Sequence, residues 1–273
     1  MPSRALPERQ FKNNGNAAEV YERLHFLFQL GRSHLSDNCS GKHVGKRVNG
    51  LADKDFEPES VRVIEQIRNE IIDGVRKPGS RLVERDLAED LGVSRLPIRD
   101  ALRVLVAEGL VTPRPRSWAT VREFTASDVA DLHEVRGALE TMSFALAAQR
   151  HTREGLAQLR EVLEVEIAAA AAQDFTTARR AGANFHEVVI SMAGNDLLLE
   201  LQTSLAPRMR WVLAQHDDLE TMAHEHELLY NAIAERNVGL VKRLAEQHLN
   251  TSRGSLNDKR AREGIAGTTE DLH

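Results

Sequence analysis

The stretch LAEDLGVSRLPIRDALRVLVAEGL, Leu87 to Leu110, leaves a chain few ways to fold. Leu87, Ala88 and Leu91 recur at helical spacing until Gly92 stops them. Gly92-Val93 makes a short turn, and Ser94 stands where a side-chain oxygen caps the next helix. Pro97 falls in the first turn of that helix, where its missing N–H has no partner to lose. The second helix then runs to about Glu108, and Gly109 ends it.

Two faces follow from the spacing. Arg95, Arg99 and Arg103 share one stripe, while Ile98, Leu102 and Leu105 lie roughly opposite, toward a core. A helix that enters the DNA major groove needs both: one face buried on its own domain, the other offering cations to phosphates and base edges. Taken alone, the arginines also suit a solvated helix paired with nearby Asp and Glu. The neighbours favour the first reading. VRVIEQIRNEIIDG precedes, with Val61, Ile64, Ile67, Ile71 and Ile72 on one face, and KPGSRL reads as a turn. LVTP and WATVREF follow as β-prone pieces joined by a basic tip, Arg114-Pro115-Arg116-Ser117. Helix, helix, turn, helix and hairpin is the layout of a winged helix-turn-helix domain.

Past Thr125 the sequence reads as six consecutive helices, with Pro207 expected to kink or divide the fourth. Aromatic residues make up only 4% of the 273 residues, which suits helices better than sheets. With no repeat of fixed period, a bundle is expected. The fold class is therefore mainly α: a winged helix-turn-helix at 56–124 and an all-helical domain at 125–254. Residues 1–55 read as a poorly ordered extension around one apolar island, VYERLHFLFQL, and 255–273 as a flexible tail. The formal net charge of −5 hides an asymmetry: residues 61–124 carry 12 Lys and Arg against 10 Asp and Glu, residues 125–273 carry 15 against 23. A lone Cys39, the lack of a long apolar run and the lack of a signal-like start point to a cytoplasmic protein without a membrane partner.

PGSRLVERDLAEDLGVSRLPIRDALRVLVAEGLV is similar, nearly residue for residue, to the DNA-binding domain of GntR-type bacterial transcription regulators. The resemblance implies that Arg85, Ser94, Arg95 and Arg99 hold phosphates and read bases. The wing departs from the family pattern, which has a glycine at the tip; here Arg114 and Arg116 offer a phosphate or minor-groove contact instead. DLHEVRGALE, NFHEVVISMAGNDLL, EHELLYNAI and AEQHL resemble the FCD effector domain of the FadR branch. That resemblance implies a pocket for a divalent metal, zinc or nickel, held by His186, His226 and His248, with Arg136 pairing a carboxylate effector. It also places an aspartate at position 182, where this chain has Gly182, so one ligand is lost; Asn184, two residues on, points to another face. The plainer readings are core histidines and an interhelical salt bridge at Arg136.

Together these features describe a ligand-responsive DNA-binding transcription regulator, a repressor, that binds a palindromic double-stranded operator as a homodimer and senses a small carboxylate. A metal-free regulator of a fatty acyl or other apolar ligand is the alternative. A metal-dependent hydrolase is more distant: HEVRG, HEVVI and HEHEL lack a second histidine four residues after the first, and no phosphate-cradling glycine loop or nucleophile elbow is present. Removing residues 1–55 is expected to leave operator affinity, read by fluorescence anisotropy, nearly unchanged; a large loss would assign the extension to the DNA-binding surface.

Overall fold

In a computed structural model, residues 58–114 and 118–262 are described. The expected N-terminal extension, the tip residue Arg116 and the last part of the tail lie outside them. The chain opens with α1 (Glu59–Ile72), β1 (Arg81–Val83), α2 (Glu84–Leu91) and α3 (Arg95–Ala107), followed by β2 (Val111–Arg114) and β3 (Trp118–Val121). Six helices complete it: α4 (Ala126–Arg150), α5 (Arg153–Ala171), α6 (Phe175–Met192), α7 (Asp196–Leu213), α8 (Leu219–Ala234) and α9 (Val238–Arg262).

The apolar face of α1 is Val63, Ile64, Ile67, Ile71 and Ile72, so Val63 takes the buried place expected of Val61. It packs on Ile98, Ala101, Leu102 and Leu105 of α3 in one cluster. Gly92 follows α2 at φ +64°, a left-handed backbone that an L side chain adopts only with strain, which is why the turn between the two helices is glycine. Ser94 does occupy the N-cap position of α3, but its hydroxyl accepts no helix N–H. The expected cap is therefore positional only. The wing is larger than the sequence suggests. Arg81 and Leu82, read as part of a turn, belong to β1, which pairs antiparallel with β3 (Leu82 opposite Ala119), and the sheet order is β1-β3-β2. Burial of Leu82 against the helices favours a strand over a turn.

The bundle helices begin on side-chain caps. Thr125 and Asp128 form a capping box at α4, and Thr152, Asp174, Asn195 and Asp218 each accept a backbone N–H at the starts of α5, α6, α7 and α8. Each such cap contributes about 1 kcal/mol. Pro207 does not divide α7, which runs through it. Helix α9 continues to Arg262, past Ser255 where a frayed tail is expected. The bundle core gathers Phe144, Leu159, Leu163, Phe185, Leu229, Ile233 and Val241.

The two parts share a core. Val129 and Leu132 of α4, with Met209 and Val212 of α7, belong to the same apolar cluster as the winged helix. Trp211 of α7 stacks on Phe124, with ring centroids 4.1 Å apart and planes at 27°. Arg122 lies over the Phe124 ring at 4.8 Å and also donates to Asp128 at 2.7 Å, fastening the end of the wing to the start of α4. Asp73, just after α1, accepts from Arg180 of α6. Trp211→Ala is expected to cost about 2 kcal/mol, less than for a fully buried aromatic because Trp211 is half-buried. Calorimetry is expected to show a second transition as the winged helix melts separately from the bundle.

Candidate functional site

Two candidate sites emerge, one on the winged helix and one in the bundle. On the winged helix, Arg95 and Arg99 project from the first turns of α3 and are exposed, as are Ser94 before them and Arg85 on α2. Arg99 is held: Nε and Nη2 donate to the two carboxylate oxygens of Glu84 at 3.2 and 2.9 Å. That bond holds the Glu84 carboxyl below its usual range. Arg85 pairs with neighbouring Asp86 at 3.0 Å, and Arg103 with Asp100 at 3.4 Å. These surface pairs contribute little to stability. Arg114 is exposed at the end of β2. Leu96, between Ser94 and Pro97 in the same first turn, stands 65% exposed rather than in the core.

In the bundle, α6, α8 and α9 bring His186, His226 and His248 together, one ligand nitrogen from each lying within 4.8 Å of the others. All three are buried. His226 Nδ1 meets Glu166 of α5 at 2.8 and 2.9 Å, and His248 Nδ1 meets Glu225 of α8 at 2.8 Å. A carboxylate accepts, so in both rings Nδ1 carries the hydrogen and the Nε2 lone pair faces inward. His226 Nε2 and both ring nitrogens of His186 have no hydrogen-bond partner, although His186 Nδ1 lies 3.3 Å from Glu140 Oε1. Burial, first, and then the neighbouring histidines and Arg136 push His186 and His248 well below the usual imidazole range. The ring nitrogens of His186 and His226 without a hydrogen bond are metal ligands in waiting, whereas Nε2 of His248 is engaged by Arg136.

Arg136 of α4 is fully buried and reaches the same centre. Its Nε donates to Glu140 at 2.9 Å, Nη1 to Ser252 Oγ at 2.6 Å, and Nη2 to His248 Nε2 at 3.2 Å. The expected interhelical partner of Arg136 is thus a glutamate on its own helix, one turn on. Ser252 Oγ in turn meets His216 Nε2 at 2.7 Å, while His216 Nδ1 donates to the Leu213 carbonyl at 2.9 Å. Burial pushes His216, and His133 one turn before Arg136, down to about 4. Asn184 accepts from Arg210 at the exposed side of α6, away from the triad. A small cavity beside the histidines is lined by Glu166, Gly182, Ala183, His216, Met222 and His226.

Sequence reading missed Glu166, Glu225, Ser252 and His216. Glu225 carried a signal, being adjacent to His226, and so did Glu140, four residues after Arg136 on one helix face. Glu166, 60 residues from its histidine, carried none.

Comparison with known proteins agrees with both halves of this geometry. Residues 59–121 match the bacterial regulatory proteins of the gntR family, and residues 131–251 match the FCD domain. The HTH-type transcriptional regulator LutR of Bacillus subtilis is 30% identical over 192 residues, 61% of this chain and 87% of LutR. The gluconate operon transcriptional repressor of Bacillus licheniformis is 26% identical over 207 residues, 72% of this chain and 85% of that protein. The solved structure of Escherichia coli McbR/YncC superposes with a TM-score of 0.66 at 25% identity, covering 73% of this chain and 97% of McbR. The chain belongs to the gntR family of bacterial transcription regulators, DNA-binding proteins and not enzymes, and joins their winged helix to an FCD domain.

Proposed function

We propose that this regulator is a ligand-responsive repressor that binds a palindromic operator as a homodimer and senses a small carboxylate in a metal-holding pocket. The observation that carries the reading is the meeting of three buried imidazoles with the Arg136 guanidinium, whose Nη2 lies 3.2 Å from His248 Nε2. Unpaired buried nitrogens are costly unless something binds them, and lone pairs from three different helices fit a divalent metal such as zinc or nickel. Such an ion would supply a Lewis-acid site with positions open to carboxylate oxygens. Arg136 would receive such an oxygen with a charged donor by giving up its bond to His248 Nε2. The Gly182 site lacks the carboxylate of the family pattern, so the centre is more cationic and its affinity for metal lower than with aspartate there. The apolar-ligand alternative is weaker, because buried polar atoms around the triad, Nε2 of His186 and of His226 among them, have no hydrogen-bond partner.

On the winged helix, Arg95 and Arg99 are assigned to base edges and Arg85, Ser94 and Arg114 to the sugar-phosphate backbone, with Arg116 beside Arg114 at the tip. Arg95 needs no ion pair broken before it binds, whereas Arg99 must leave Glu84 or carry it along. Acting on DNA, the protein works in the cytoplasm; among the described residues no helix is long and apolar enough to cross a membrane. The effector would bias the bundle toward the arrangement it binds better, changing how two recognition helices are presented.

The reading is tested by anisotropy on DNA from upstream of the protein's own gene against a scrambled duplex at two salt concentrations. Selective binding that weakens with salt is expected. Arg95→Ala is expected to cost about 1–3 kcal/mol of specific binding, and unchanged operator affinity would remove Arg95 from base reading. His226→Ala with His248→Ala is expected to abolish stoichiometric metal, measured on purified protein, while the protein stays folded. Wild type that carries no metal and gains no thermal stability from added Zn²⁺ or Ni²⁺ would refute the metal pocket.

A further inference from the structure

Gly182 sits in the middle of α6, and glycine in a helix interior costs about 0.5–1 kcal/mol relative to alanine. Its backbone does not require it, since Gly182 is not among the positive-φ glycines. Space does. A Cβ at this position would lie 2.8 Å from Glu166 Oε1 and 3.7 Å from His226 Cε1. The first distance is too short for any real contact, so a side chain at 182 and the Glu166 carboxylate compete for one place.

Glu166 uses that place fully. Its carboxylate is buried, and both oxygens lie within 2.9 Å of His226 Nδ1. The opposite constraint on the ring comes from Phe185, which stacks on it with centroids 4.4 Å apart and planes at 12°. Between stack and carboxylate, the imidazole has one orientation and one tautomer, with Nε2 turned toward His186 and His248.

We propose that Glu166 is the positioning carboxylate of this centre, acting through His226 rather than on the ion, and that Gly182 is small in order to make room for it. This rests on the metal reading above. Negative charge reaches the centre from behind an imidazole instead of from a direct ligand at 182. A centre built so has three protein ligands rather than four, which leaves one coordination position more for the oxygens of the carboxylate effector.

The test is Co²⁺ titration of the metal-free full-length protein, by visible absorption and by competition with a chromophoric chelator. Thermal midpoints of the metal-free variants are measured alongside. Glu166→Ala is expected to weaken Co²⁺ about 10–100-fold and to alter the cobalt spectrum. Glu166→Gln, which keeps an oxygen for the Nδ1 hydrogen, is expected to recover part of both. Gly182→Ala, adding one methyl that touches no ion, is expected to weaken Co²⁺ as well by displacing Glu166, and in the double variant with Glu166→Ala the two losses should not add. Unchanged Co²⁺ affinity and spectrum in Glu166→Ala, Glu166→Gln and Gly182→Ala, whatever their thermal midpoints, would overturn the proposal and leave the metal reading standing. Wild type that binds no Co²⁺ would overturn both.

Discussion

Taking a charged group out of water costs several kcal/mol after all relaxation, and a guanidinium at the heart of a helical bundle persists only if every donor is used. Arg136 comes close to that condition, with one partner for each of its three nitrogens in Glu140, Ser252 and His248. The rest of the bundle interior is arranged around this requirement. Glu166 and Glu225 are buried with their own imidazole partners, and burial pushes His186 and His248 well below the usual imidazole range. Burial also pushes Glu225 upward, so the pair it forms with His248 is held by a hydrogen bond between groups that both resist charge. An interior that leaves two imidazole nitrogens of His186 unpaired has been kept polar where apolar side chains would be more stable, which is the usual mark of a binding site.

The winged helix obeys the opposite rule. Arg85, Arg99 and Arg103 are exposed, and each pairs with a nearby acid. The domain's stability comes from isoleucine and leucine faces and from the part-buried bidentate pair of Arg68 with Glu108. Surface charge and core are thereby separated: these exposed arginines can change partner without loosening the core beneath them.

The winged helix was legible because its signals are local. Glycine stops, a proline in the first turn and a helical period lie within 24 residues. What failed there failed at the scale of one or two residues: Val63 for Val61, a strand where Arg81 and Leu82 read as part of a turn, and a capping serine whose hydroxyl bonds no helix N–H. The histidines were legible only through resemblance, since they come from three helices and no spacing links His186 to His226 or His248. Glu166 was not legible at all. Its role depends on how α5 lies against α6 and α8, and a glutamate on an amphipathic helix reads as solvent-facing until that packing is known.

Helix α7 belongs to both the winged helix and the bundle. Its Met209 and Val212 lie in the core of the winged helix and Trp211 stacks on Phe124, while the carbonyl of Leu213 at its end accepts from His216, two hydrogen bonds from Arg136 through Ser252. Any work done at one site through this helix is subject to thermodynamic reciprocity. If filling the pocket loosens the grip on DNA, then DNA loosens the grip on the pocket's occupant by the same factor. Under such coupling, the concentration at which an effector is felt would be set jointly by the bundle and by how much of the protein is already seated on its operators.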